Sequence, residues 1–322
     1  MKKKDKTKNP IQPVSGTKVP RFAGPSTFLR LPEMRDVKSC DVAIVGIPFD
    51  AGTSYRPGAR FGPQSIRQAS RHLRTNYHPN YDIEPFKVQQ VADAGDIVCN
   101  PFNINEAIQQ IEKGALDLLN KVGGIISMGG DHTIAFPLLK AVNKINKGPV
   151  ALVHFDAHLD TWDTYFGAPY THGTPFRRAR EENLFLDNAS MHVGIRGPLY
   201  SPEDLKDDAE FGFKIIHCDE FQTEGIDKIV KRIRDRVGNN PLYLSIDIDV
   251  LDPAFAPGTG TPEIAGMTTR EIVNVIRGLS GLNLISADVV EVSPAYDHAE
   301  VTSLAAATIV YELINLFAKS KG

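Results

Sequence analysis

Three short segments concentrate side chains that bind cations or move protons. GGDHT supplies Asp131 and His132, DAHLD supplies Asp156, His158 and Asp160, and DID supplies Asp247 and Asp249. In an extended chain residues i, i+2 and i+4 face one side, so Asp156, His158 and Asp160 are expected to converge, as are Asp247 and Asp249. Carboxylates held that close repel and take up protons unless a cation neutralises them. With His132 the set offers four carboxylates and two imidazoles, enough for two divalent ions, with Asp249 expected as a bridging carboxylate. Hard oxygen and imidazole ligands favour Mn²⁺ or a similar ion over structural Zn²⁺, and they also accept Ni²⁺ or Co²⁺. Each segment also has a plainer reading. GGDH suits a glycine-rich turn with Asp131 as a helix cap, and an isolated DxH or DxD suits a solvated strand end. Three such segments in one chain are harder to explain that way.

All three follow apolar, β-branched runs. Candidate strands are 41–48, 88–93, 124–129, 149–156, 190–195, 214–218, 242–249 and 283–292, with amphipathic segments between them. One of these, INEAIQQIEKGALDLLNKV, places Ile104, Ala107, Ile111, Ala115, Leu118 and Leu119 close to a 3.6-residue period. Nearly continuous apolar strands joined by helices specify a parallel sheet covered on both faces. Such sheets bind ligands beyond the carboxyl ends of their strands, where the polar segments fall. No internal repeat or linker interrupts 41–318, so one domain is expected over 1–322, with 1–40 as an N-terminal arm and 41–318 as the catalytic core.

The 322 residues are 42% hydrophobic and 23% charged, with a formal net charge of −3. This balance gives no reason to expect nucleic acid or an anionic membrane as partner. The basic start, MKKKDKTKNPIQPVSG, lacks the apolar stretch of a secretory signal and reads as a solvated, disordered arm. No apolar run approaches the ~20 residues needed to cross a bilayer. Cys40, Cys99 and Cys218 have no paired spacing, as expected of free thiols in a cytoplasmic protein.

GGDHT, VHFDAHLD and SIDIDVLDPAFAPGTGTPE resemble the three signature motifs of the ureohydrolase family, which includes arginases, agmatinases and guanidino-acid hydrolases. The resemblance continues in GIPFDAGTSYRPGARFGPQSIR and DVVEVSPAYDHAEVTSLAAA, covering about residues 40–318. It implies a three-layer α/β/α fold around a mostly parallel eight-stranded sheet, and a homotrimer or homohexamer. It also implies two Mn²⁺ held by His132, Asp156, His158, Asp160, Asp247 and Asp249, with Glu291 gripping the substrate guanidinium and His172 protonating the leaving amine. Two adjacent cations supply an acidified water as nucleophile, and a carboxylate matches the paired N–H groups of a guanidinium.

Specificity then rests on the substrate's tail. TWDTYFGAPYTHG lacks the Asn/Ser-rich character of arginases, and RGPLYSPED lacks their acid-rich start. For agmatine, Trp162, Asp163 and Tyr165 are candidates to hold the terminal amine; for a guanidino acid, Arg196 and Tyr200. Agmatine hydrolysis to urea and putrescine is favoured over that of guanidinobutyrate or another guanidino acid. A binuclear phosphoesterase would show GNH[DE] and GHxH, and a zinc deacetylase a tandem histidine pair; neither pattern occurs. A non-catalytic relative would lack a ligand, and all six are present.

Overall fold

The computed structural model describes residues 10–320, so the start of the basic arm lies outside the described residues. Eight strands form one sheet: β1 (Val42–Ile47), β2 (Val91–Asp96), β3 (Gly124–Gly129), β4 (Ala151–Phe155), β5 (Met191–Ile195), β6 (Lys214–His217), β7 (Leu242–Asp247) and β8 (Leu284–Val290). Their order is β2-β1-β3-β8-β7-β4-β5-β6, and every pairing is parallel. Parallel neighbours need crossovers, which here are helices, so both faces of the sheet are covered.

Side-chain alternation divides the interior into two cores. Val42, Ile44, Ile126, Met128, Val153 and Phe155 point into one. Ala43, Val45, Ile47, Ile125, Val150 and Leu152 point into the other. Each fully buried Val, Ile or Leu contributes about 1.5–3 kcal/mol, and both cores converge on the central strands.

The eight expected strands are all present, with three adjustments. β2 begins three residues later than expected because Pro85–Val88 forms a helical turn that begins at proline. The core draws on residues before 41: Phe28 and Leu31 are buried, and the Phe28 N–H donates to Asp93 Oδ2 at 2.7 Å. The C-terminal helix Val301–Lys319 is long and apolar enough to cross a bilayer by composition, yet 83% of its apolar stretch is buried inside the protein. It packs on β8 and β3 as a core helix, apolar around its whole circumference for that reason.

The acid and histidine segments follow β3, β4 and β7, and Glu291 follows β8. These are the four central strands, adjacent in the order β3-β8-β7-β4. Their carboxyl ends therefore open on a single cleft.

Candidate metal centre

DAHLD does not converge by strand alternation. β4 stops at Phe155, and Asp160 turns back with φ of +54°. Glu291 has φ of +65°. Left-handed backbone at non-glycine residues costs of order 1–3 kcal/mol and survives only where the surroundings enforce it. At both positions it aims a carboxylate into the cleft. Close backbone approach does the rest: a Cβ on Gly130 would lie 2.3 Å from the Phe49 carbonyl. Only glycine lets the chain from β3 bend there before His132.

Two groups form around one residue. His132 Nδ1 lies 3.2 Å from Asp156 Oδ2, 2.9 Å from Asp160 Oδ2 and 3.2 Å from Asp247 Oδ2. His158 Nδ1 lies 3.3 Å from Asp156 Oδ1 and 3.2 Å from Asp249 Oδ2. Asp156 thus presents one oxygen to each group, whereas Asp249 faces only the second. Of the two acids, Asp156 and not Asp249 faces both histidines, because Asp249 lies past the end of β7 in a single 3-10 turn.

The hydrogen bonds fix the His132 tautomer. Ser245 Oγ donates to Asp288 Oδ1 at 2.8 Å and so must accept from His132 Nε2 at 2.9 Å. Nδ1 is then a bare lone pair, buried without a hydrogen-bond partner, facing three carboxylate oxygens. Four electron-rich atoms converging in a buried space fit a divalent cation. Without one, burial would lower the His132 pKa, but Asp156, Asp160 and Asp247 outweigh it and hold the pKa well above the ordinary range. Burial and then Asp249 and Asp156 push Asp247 well up, and burial with Asp156 raises Asp249 to about 6. This is the signature of too much negative charge for the protons available.

His154 also stands beside Asp156, at 2.7 Å from Oδ2. It falls in the same cluster of possible ligands, but its Nε2 is engaged by Asp156 and its Nδ1 by His192 at 2.7 Å. Burial lowers its pKa to about 3, so it is neutral. Asp131 caps the turn after β3, accepting from Thr133 N at 3.0 Å and Gly52 N at 2.7 Å. Burial, then Glu291, raises it to about 7.

Glu291 Oε1 accepts the His132 N–H at 2.8 Å and lies 3.1 Å from His172 Nδ1. Its Oε2 is buried without a partner. Space beside it exists because Gly260 has no side chain; a Cβ there would lie 3.4 Å from Oε2. Burial opposes a charged His172, but Glu291 outweighs it and raises the pKa to about 9. On the other side of the His172 ring, Nε2 lies 2.7 Å from Ser54 Oγ and 3.2 Å from the Ser54 backbone N.

The cleft of about 500 Å³ above these groups is also lined by Arg56, Trp162, Tyr165, Tyr200 and Glu263, the last 3.9 Å from His158 Nε2. Two expected tail residues are elsewhere. Asp163 is exposed and pairs with Arg178 at 2.6 Å, drawn there by a cation on the following helix, Pro175–Glu181. Arg196 donates to backbone carbonyls, among them Asp249 at 2.7 Å and Glu263 at 2.8 Å. A guanidinium satisfied in this way pins the 249–264 turn instead of meeting a ligand. Arg56, Ser54 and Glu263 are cleft residues whose roles the sequence did not announce, although they lie in GIPFDAGTSYRPGARFGPQSIR and SIDIDVLDPAFAPGTGTPE.

Comparison with known proteins agrees with this geometry. The model of the arginase family matches residues 40–315. Guanidinopropionase of Pseudomonas aeruginosa is 45% identical over 311 residues, 96% of each chain. Putative agmatinase 1 of Schizosaccharomyces pombe is 46% identical, covering 93% of this chain and 84% of its own. The structure of proclavaminate amidino hydrolase from Streptomyces clavuligerus superposes with a TM-score of 0.89 at 40% identity, over 94% of this chain and 100% of that one. The chain belongs to the arginase family, and its clustered histidines and aspartates suit a binuclear metal site.

Proposed function

We propose that this arginase-family amidinohydrolase acts on agmatine, releasing urea and putrescine. The observation that carries the guanidino chemistry is Glu291 Oε2, a buried, unpartnered carboxylate oxygen beside the His132 group. A guanidinium entering the cleft supplies the paired donors that this oxygen lacks. His132, Asp160 and Asp247 would hold one metal ion, His158 and Asp249 a second, with Asp156 shared. Bound there, the two ions supply an acidified water as nucleophile; Mn²⁺ fits the donor set, as do Ni²⁺ and Co²⁺.

The chain's own residues do the remaining work. Glu291 orients the guanidinium and keeps His172 protonated. Attack of water on the guanidino carbon gives a tetrahedral species whose C–N bond to the tail must break. His172, positioned by Glu291 and Ser54, donates the proton that makes the tail nitrogen a neutral leaving amine. Urea and an amine are the products, and the water proton given up restores the balance.

The tail reading rests on three rings and an acid. The ring centroids of Trp162, Tyr165 and Tyr200 lie 5.4–6.4 Å apart at the cleft mouth, and Glu263 lines the same space. Aromatic faces with a carboxylate suit an alkylammonium. One observation supports a second reading, a guanidino acid. Among the described residues, the Arg56 guanidinium meets only the rings of Tyr55 and Tyr296, at 5.8 and 5.1 Å. It is available to a carboxylate. Urea release from equal concentrations of agmatine, guanidinobutyrate, guanidinopropionate and arginine tests this. The largest kcat/KM is expected with agmatine; a larger one with either guanidino acid overturns the tail assignment.

A further inference from the structure

Behind Asp156 runs a buried chain of side chains that ends at Asp208, outside the lining of the cleft. His154 Nε2 meets Asp156 Oδ2 at 2.7 Å, and His154 Nδ1 meets His192 Nδ1 at 2.7 Å. His192 Nε2 meets Asp208 Oδ1 at 2.9 Å, and the Thr161 hydroxyl donates to the same oxygen at 3.3 Å. Asp156, His154, His192 and Asp208 are all fully buried. The two rings are wedged between Phe176, 4.3 Å from His154 by centroid, and Phe213, 3.9 Å from His192. Asp208 sits on the helix Pro202–Glu210, between β5 and β6, remote in sequence from every residue of the centre.

Donor counting fixes the direction of this chain. Three hydrogen bonds need three protons. Asp156 must be an ionised acceptor to serve both groups, so His154 donates from Nε2. A neutral His154 then offers a lone pair at Nδ1, and His192 must donate from its own Nδ1. The last bond needs one more proton, carried on His192 or on Asp208, since two neutral imidazoles supply only two. Asp208 is the sole carboxylate at this end among the described partners, so without it His192 would be left buried with an unmatched nitrogen.

We propose that Asp208 is a positioning residue for the metal centre: acting through His192 and His154, it fixes the orientation of Asp156. The inference rests on the metal reading of the centre given above. Asp156 is the residue that both groups share, so freedom at Asp156 would loosen both. Partners behind a ligand generally account for ten- to a hundredfold in metal affinity.

The test is Mn²⁺ affinity, measured by chelator competition on the full chain, with melting of the metal-free proteins as a folding control. Asp208→Leu and His192→Phe are each expected to weaken Mn²⁺ binding by roughly 10- to 100-fold. The double variant should be no weaker than either single one, because each cuts the same chain. Asp208→Asn should bind within a few-fold of wild type, since its amide can donate to a neutral His192 while Thr161 turns to accept, leaving the directions of the two bonds nearer Asp156 unchanged. Wild-type affinity in Asp208→Leu, or additive losses in the double variant, overturns the proposal. If the variants do not fold, ¹⁵N NMR of histidine-labelled wild type decides: His154 is expected as the Nε2–H tautomer, and an Nδ1–H tautomer overturns it. Asp156→Ala separates the two readings. If it loses Mn²⁺ while Asp208→Leu keeps it, only the positioning role fails; if it also keeps Mn²⁺, the metal reading itself fails.

Discussion

His172 Nδ1 and Glu291 Oε1 lie 3.1 Å apart, while the second oxygen of Glu291 is buried with no partner. One carboxylate therefore has two tasks: it keeps the histidine charged through one oxygen and presents the other to substrate. The pairing joins β8 to the loop after β4, so it forms only when the sheet is assembled.

Glu291→Gln keeps the shape and the acceptor for the His132 N–H but removes the charge. Losing a charge-assisted hydrogen bond costs about 1.5–3 kcal/mol, which corresponds to a roughly 10- to 150-fold fall in kcat/KM. Steady-state urea release measures this. Bound metal, by elemental analysis, should be unchanged.

His172 has a folded pKa of about 9, above its ordinary 6.5. The protonated form, and the stability it brings, is fully present below about pH 6.5 and is lost as pH rises through 9. The pH profile of kcat/KM should fall on the alkaline side near pH 9. In His172→Asn the rate should drop by about 10²–10⁴-fold, with no such limb. An alkaline limb retained in His172→Asn would assign it to another group.

Asp156 faces both His132 and His158, whereas Asp249 faces only His158. Elemental analysis after dialysis against low Mn²⁺ should show Asp156→Ala with little metal. Asp249→Ala should retain one ion of the two, held by the His132 group. Equal losses in the two variants would contradict the shared position of Asp156.

Glu263, 3.9 Å from His158 Nε2, is about one-third exposed (34%), so solvent screens it. Partly exposed charge pairs contribute about 0.2–1 kcal/mol, and Glu263→Gln should raise the KM for agmatine by up to about fivefold. Arg56→Gln should leave that KM unchanged or lower it, and raise the KM for guanidinobutyrate.

Much of this arrangement was legible in the sequence for a physical reason. Asp156, His132 and Asp247 are polar residues ending runs too apolar to be anything but buried strands, so they had to meet at one edge of the sheet. The parallel fold followed from the same runs. What stayed hidden depends on partners distant along the chain. Asp163 looked like a ligand for an amine because nothing local indicates that Arg178 takes it. Arg196 looked like an anchor for a carboxylate because carbonyls leave no trace in a sequence. Asp208, in the ordinary helix PEDLKDDAE, differs from Asp207 only in facing inward, and His192 alone shows why. The curl at Asp160 was also invisible, since alternation assumes a strand that has already ended.

The most direct measurement is a titration of metal-free protein with Mn²⁺ while urea release from agmatine is followed. Two equivalents should bind, and activity should rise mainly with the second, because each of the two groups around Asp156 must be filled. Full urea release at one equivalent, or release that persists in excess chelator, would contradict a two-metal centre.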